Sequence, residues 1–333
     1  MSDFAVVAVR GPLVESIHRV SVAVTRPDGE MVAWAGDPSQ VTFWRSAAKP
    51  FQLLPLVEDG GVESFGLDRA MLALACGSHN AEPIHREVGA RWLAALGLSE
   101  SDLSCGGHPS LWPALADMMI HDDVVPTPLW SNCSGKHAGL LALARLHGWP
   151  TAGYEESGHP VQQRVAATIA EWSGLAPDAL QWGVDGCTAA AVALSLHGMA
   201  VAYARLGASD QPAMRTIRDA MMSEPHLVAG TDRLDTILMQ AWPGRVVAKI
   251  GAEGVYSASL PELGLGISLK VEDGDMRCAG IALVAVLDTI TARFGAGIEW
   301  PGAALQPWRE PIIRNTRREP TGLYGTLGGL RFT

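Results

Sequence analysis

Between residues 21 and 36 the chain reads SVAVTRPDGEMVAWAG, with apolar and polar positions alternating on both sides of Pro27-Asp28-Gly29. Period two about a turn triplet predicts an antiparallel hairpin, because successive strand side chains point to opposite faces. From there the period lengthens. The apolar run 51–57 predicts a buried helix, 68–76 a second one closed by Gly77, and 83–96 an amphipathic helix entered through Pro83. Residues 104–130 are broken by Gly-Gly, prolines and tryptophans and predict loops around a short helix at 113–120. Helices follow at 140–147, opened by SNCSGKHAG, at 159–173, after a turn within 184–206, and at 211–223. Past Pro243-Gly244, short strings separated by glycines predict three strands within 245–274, and 276–294 predicts an apolar helix.

Strand patterns near both ends with helix patterns between them predict an α+β fold. One antiparallel sheet comes from about 1–45 and 244–333, with a helical part at about 46–243 inserted, the whole of 1–333 forming a single catalytic unit. A chain of 333 residues can bury a sizeable core without staples. The tail 314–333, rich in arginine and glycine, predicts a loose segment or a contact with a neighbouring subunit. Composition narrows the partners. A net charge of −10 from dispersed acidic residues repels phosphate backbones, which argues against nucleic acid. No apolar run reaches the length of a membrane span, and the start MSDFAVVAVRGP lacks the pattern of a secretory signal, so a cytoplasmic protein away from membranes is expected. Five widely spaced cysteines make no disulfide framework; they read as thiols, some of them ligands.

Candidate chemistry begins at FWRSAAKPFQ, residues 43–52, where Ser46 stands three before Lys49 at the mouth of the apolar run. Residues i and i+3 share a helix face, which sets a hydroxyl beside an amine, the pairing of a serine nucleophile with a lysine base. Lysine is scarce here: Lys49, Lys136, Lys249 and Lys270 stand against twenty-one arginines. Arginine keeps its proton in a protein, whereas burial tunes lysine into a base or a ligand, so each lysine marks a place where a removable proton has use. Two further strings follow in order, Ser78-His79-Asn80 beyond a helix end and Lys249-Ile250-Gly251 on a predicted strand. The trio resembles the S-x-x-K, S-x-N and K-x-G signature of serine β-lactamases and penicillin-binding proteins, with His79 and Ile250 where those families carry Asp and Thr. A helix-capping turn also accounts for Ser78, and an edge-strand lysine for Lys249. Cys133 and Cys187, each in a glycine turn at a helix start, are either ligands for a soft divalent ion or two buried thiols. Asp185, two before Cys187, either orients a ligand, binds an ammonium group, or is an ordinary turn residue.

Taken together, RSAAKPFQ, CGSHNAE, NCSGKHAG, VDGC, AGTDRLDTILM and KIGAEGVY resemble the asparaginase II family, the class 3 or Rhizobium etli-type L-asparaginases, over roughly residues 10–290. The resemblance implies a fold similar to serine β-lactamases and glutaminases, a homodimer, and hydrolysis of L-asparagine to L-aspartate and ammonia. It implies two Ser-Lys tandems, Ser46 with Lys49 and Ser78 with a later lysine, placed first at Lys249 and second at Lys270. It carries a zinc site (Zn2+) onto Cys133, Lys136 and Cys187, with Asp185 nearby, and makes Arg45, Asn80, His137 and Asp185 candidate substrate contacts. A cysteine that some members carry in the GTDRLDT string is Asp235 here. The expected reaction is nucleophilic acyl transfer, with backbone N–H groups holding the oxyanion. Ser46 is the favoured attacking hydroxyl, with Ser78 and Lys249 relaying protons; the reverse assignment exchanges the serines. The competing readings are a penicillin-binding, β-lactamase-like or glutaminase serine acyl enzyme and a non-catalytic amino-acid-binding protein.

Overall fold

The computed structural model describes residues 3–298 and 300–333. The chain gathers into two compact units, one drawing on the residues up to Thr42 with Leu194–Ala208 and Ala248–Thr333, the other on Phe43–Ala193 and Ser209–Val247. The fold is α+β.

The first unit holds a nine-stranded sheet among the described residues. From one edge its order is Ile312–Arg314, Pro320–Leu327, Ala5–Arg10, Leu13–Thr25, Leu265–Val271, Val255–Leu260 and Val247–Ile250. Met31–Ala35 pairs with the second half of the long strand Leu13–Thr25 and with Arg331–Phe332. The hairpin at 21–36 is present, with Val22 opposite Ala35 and Thr25 opposite Met31, and the three strands expected within 245–274 are all formed. The tail departs from its expectation. Pro320–Leu327 pairs antiparallel with Ala5–Arg10, Val6 facing Thr326, and its positions are exposed or half-buried. A strand with little apolar surface to bury carries no strong period-two signal, so its arginines and glycines suggest a loose tail.

Every residue of Leu265–Val271 is buried, which requires cover on both faces of the sheet. The helices Leu196–Ala208 and Met276–Phe294 both pack on this strand. At Gly266 a Cβ would come within 2.0 Å of Ala200 O and 2.2 Å of Ala204 N, so only glycine lets the helix backbone lie directly on the strand. The stretch ahead of that helix is the strand Ala190–Ser195, paired with Gln181–Val184, where the sequence suggests helix. Its run of small apolar residues has no alternation to declare a strand. Lys249 and Lys270 belong to the nine-stranded sheet. Lys249 Nζ donates to Ile250 O at 2.7 Å, Lys270 Nζ to Val271 O, and burial lowers the pKa of Lys270.

The second unit is helical around Lys49–Glu58, which packs against Ser134–His147, Pro160–Ser173 and Pro212–Ser223. A 3-10 turn, Arg45–Ala48, precedes it. Pro50 falls in its first turn, where the missing N–H has no helical partner to lose. Phe51 and Leu54 are fully buried, and the Phe51 ring stacks on Trp44 with centroids 5.0 Å apart. Arg69–Cys76 packs on the same bundle and is capped by Asp68, which accepts from the Met71 N–H at 3.0 Å. Among the described residues no helix is long and apolar enough to cross a membrane.

Candidate active site

At Gly77 the helix Arg69–Cys76 gives way to extended backbone. The next three residues are held by backbone bonds on two sides: Ser78 N–H to Val228 O (2.8 Å), Asn80 N–H to Ala229 O (2.9 Å) and His79 N–H to Asn132 O (3.3 Å). Arg233 Nη1 donates to both Ser78 O, at 3.1 Å, and Asn80 Oδ1, at 2.9 Å. Asn80 Nδ2 donates to Thr231 O at 2.9 Å and Glu82 Oε1 at 3.2 Å, so both donors of its amide are spent on protein. Gly230 permits this approach. Its φ is +113°, and a Cβ there would lie 2.4 Å from Glu82 Oε1 and 2.7 Å from Asn80 Nδ2.

Lys49, only 1% exposed, aims its amine at this segment. Nζ donates to Ser78 Oγ at 3.1 Å, to Asn132 O at 3.3 Å and to Gly77 O. Three oxygens thus surround the amine: two carbonyls, which only accept, and a hydroxyl, which can accept from it or donate to it. Ser46 lies in the preceding 3-10 turn, its carbonyl accepting from Lys49's own backbone N–H. No side-chain hydrogen bond joins Ser46 to Lys49 among the described residues. The local pairing expected from the i, i+3 spacing is thus replaced by a bond to Ser78. Lysine's long stem reaches acceptors on another segment instead of lying along its own turn. Ser78 belongs to the helical unit, and Lys249 and Lys270 to the sheet unit.

A second cluster forms where Ser134–His147 begins. Cys133 occupies the N-cap position, and Lys136, one turn on, donates from Nζ to Cys187 Sγ at 2.8 Å. A hydrogen bond between Cys133 and Cys187 completes the trio and, with the charges of Lys49 and Lys136, holds the Cys133 thiol well below its ordinary pKa against its burial. The same bond and burial push Cys187 up, leaving one thiol inclined to ionise and one to stay protonated. Burial works against the charge on Lys136, but Cys187, Cys133 and Asp185 outweigh it, and the ammonium form is held. Cys187 sits in a tight turn in which Asp185 O accepts from Thr188 N–H at 2.9 Å, with Thr188 at φ 75°. That left-handed conformation is costly for a β-branched residue, and the Thr188 hydroxyl is tied to Ser104 O at 3.2 Å. Arg45 meets Asp185 Oδ1 with Nε and Nη2, both at 2.9 Å. Burial raises the Asp185 carboxyl, yet Lys136 and Arg45 overcome it and keep it below the usual range.

His137 is fully buried next to Lys136. Its Nδ1 is 2.7 Å from the Tyr154 hydroxyl, which also accepts from the Ser104 N–H at 2.9 Å. Its Nε2 makes no hydrogen bond of normal geometry among the described residues, with the Cys187 backbone beside the ring. Burial, then the charges of Lys136 and Lys49, holds this imidazole neutral. His79 is likewise kept neutral by burial and its neighbours and bonds to Ser134 Oγ at 2.9 Å.

The structure therefore gathers Arg45, Lys49, Ser78, Asn80, Cys133, Lys136, His137, Asp185 and Cys187 within one unit. Arg233, Tyr154, Glu82 and the carbonyls of Gly77 and Asn132 escape a reading of motifs. Arg233 and Glu82 do lie inside the strings AGTDRLDTILM and CGSHNAE, while Tyr154 stands in no pattern and a carbonyl has no sequence signature.

A family model for L-asparaginase II matches residues 6–325, nearly the whole chain. The chain belongs to the L-asparaginase II family. An amidohydrolase function goes with that membership. No curated protein sequence matches this asparaginase II chain. Among solved structures it is similar to a β-lactamase from Mycobacterium bovis, at 15% identity over 83% of this chain and 94% of that one, with a TM-score of 0.45. It is similar also to a mutant of simvastatin synthase from Aspergillus terreus, at 11% identity over 84% and 93% of the two chains and a TM-score of 0.46. A third is the octameric penicillin-binding protein homologue from Pyrococcus abyssi, at 13% identity, 81% and 73% coverage and a TM-score of 0.35.

Proposed function

We propose that this asparaginase II protein hydrolyses L-asparagine to L-aspartate and ammonia by nucleophilic acyl transfer, with Ser78 as attacking hydroxyl and Lys49 as its base. The 3.1 Å bond from Lys49 Nζ to Ser78 Oγ carries the assignment. In its neutral form Lys49 takes the hydroxyl proton as Oγ attacks the side-chain amide carbon, and returns it to the departing nitrogen, so that ammonia leaves and an ester to Ser78 remains. Water, deprotonated by the same amine, attacks the ester carbon, the bond to Ser78 Oγ breaks as Lys49 returns the proton to it, and aspartate leaves. Gly77 O and Asn132 O aim the amine throughout, and Arg233 and Asn80 hold the Ser78 backbone. On substrate binding Asp185 would receive the α-ammonium and Arg45 the α-carboxylate, at the expense of the Arg45–Asp185 ion pair. His137, kept neutral by burial and beside the Cys187 backbone, offers a further polar contact. A proton relay through the hydroxyl of Ser46, in the turn just before Lys49, is part of the proposal.

Cys133, Lys136 and Cys187 would hold Zn2+. Cys187 bonds to both Lys136 Nζ and Cys133, one thiol is inclined to ionise, and with Lys136 giving up its ammonium proton as the metal enters this soft donor set suits zinc. When bound, the ion supplies a fixed positive charge that anchors the α-end of the substrate and the turn at Cys187. A homodimer in the cytoplasm completes the proposal.

The test is ammonia release from L-asparagine, L-glutamine and β-aspartyl dipeptides. Ser78→Ala, and Lys49→Arg, whose guanidinium keeps its proton and so cannot act as the base, each lower kcat for L-asparagine by about 10²–10⁴-fold. Acid-quenched turnover places the acyl group on the peptide bearing Ser78. An acyl group on Ser46 with an active Ser78→Ala variant would overturn the assignment of serines. A folded protein that releases ammonia from none of these amides would overturn the function.

A further inference from the structure

Glu82, His85 and His226 lie apart from the Cys133 cluster in ligand chemistry and are unused by the proposed reaction. One ligand atom from each lies within 4.8 Å of the other two, with Glu82 and His85 buried and His226 half-buried. Hydrogen bonding fixes the state of two of them. His85 Nε2 is 2.9 Å from His226 O, and a carbonyl only accepts, so the proton sits on Nε2 and Nδ1 carries a lone pair. That Nδ1 is buried and makes no hydrogen bond of normal geometry, with the Glu82 backbone beside the ring. A ring N–H donated to a backbone carbonyl, with the other nitrogen bare, is the arrangement that orients a metal-binding histidine. Glu82 is anchored as well: Oε1 accepts from the Thr231 N–H at 2.8 Å, and Oε2 accepts from Thr231 Oγ1 at 2.9 Å and His226 Nε2 at 3.1 Å.

We infer that Glu82, His85 and His226 form a binding site for a borderline divalent cation of the zinc class. Two imidazoles and one carboxylate are a donor set that such ions take, and they discriminate against magnesium and calcium, which prefer all-oxygen shells. Binding gives the Nδ1 of His85 a partner. It replaces the hydrogen bond between Glu82 and His226, whose side chain is 38% exposed and so shifts its proton to Nδ1 through solvent. The ligands come from the start of the helix Pro83–Ala95, from the residue before it and from the turn Pro225–Val228, so the ion ties together segments that brace Ser78 and Asn80. This site rests on geometry independent of which serine attacks.

Co2+ is the probe, because thiolate ligands give it intense near-ultraviolet charge-transfer bands that nitrogen and oxygen ligands do not. Full-length protein carrying Cys133→Ser and Cys187→Ser, stripped with chelator, binds one equivalent of Co2+ with visible d–d bands and no thiolate charge transfer. Adding His226→Asn abolishes these bands. His226→Asn keeps the backbone carbonyl that His85 uses and alters a half-exposed side chain, so the fold survives. In the otherwise native protein it removes one equivalent of zinc by elemental analysis and the zinc-dependent rise in melting temperature that goes with it. The inference is overturned if the folded double-cysteine variant binds no Co2+. It is equally overturned if His226→Asn in the native background leaves the metal content unchanged, a measurement that decides the matter even where the cysteine variant does not fold.

Discussion

At Cys133 a buried thiol is drawn toward ionisation by a hydrogen bond with Cys187 and by two nearby lysines. Its sulfur is the donor readiest for a soft cation, and replacing it with oxygen weakens that donor without changing its size much. Cys133→Ser is expected to lower zinc affinity at that cluster by about 10- to 100-fold or more, measured by competition with a chromophoric chelator. Retention of native affinity would remove the cluster from consideration as a metal centre. Much at this scale is legible from residue types alone. The scarcity of lysine singles out Lys49 and Lys136, and both turn out buried beside the cluster. The partner of Lys49 is not legible, because spacing along a helix describes only local neighbours, and Ser78 is brought to it by tertiary packing of another segment. The carbonyls of Gly77 and Asn132 belong to the backbone, which every residue shares.

The helix Met276–Phe294 shows what a single terminal residue adds to an element. Asp275 caps it, accepting from the N–H groups of Arg277 at 2.8 Å and Cys278 at 3.2 Å, while Arg277 Nη2 binds its other oxygen at 2.6 Å. The Arg277 side chain, helped by the backbone donors, lowers the carboxyl to about 2 from 3.8. The folded form therefore favours the carboxylate more than the unfolded chain does. Its contribution to stability is complete above the unfolded value and is lost as pH falls through about 2. Asp275→Ala costs about 1 kcal/mol at neutral pH, read from the denaturant midpoint. Asp275→Asn keeps the cap, costs less at neutral pH and flattens the acid slope. An Asn variant with the native acid slope would show that the carboxylate is not its source. Elements with a clear period are readable in the sequence, among them the hairpin at 21–36 and the strands within 245–274. Ala5–Arg10 and Ala190–Ser195 are not, since AVVAVR and AAVALS lack sustained alternation and each is buried over most of its length.

For the molecule as a whole, the two units differ in how far apart in sequence their contacts lie. The helical unit is complete within residues 43–247, whereas the sheet joins Ala5–Arg10 to Pro320–Leu327. Contacts between distant residues pay loop-closure entropy before they are rewarded, so local structure forms first. On refolding from denaturant, amides of Ser134–His147 are expected to gain protection before those of Ala5–Arg10, as followed by pulsed hydrogen exchange. Simultaneous protection would show that the units form as one. The same pairing sets a schedule during synthesis. At about 5–20 residues per second, the strand AVVAVR leaves the ribosome many seconds before Pro320–Leu327 is made. Throughout that interval an apolar strand has an unpaired edge open to any other chain, which makes the growing polypeptide prone to aggregate until Pro320–Leu327 appears. An early strand waits for a much later one to shelter it.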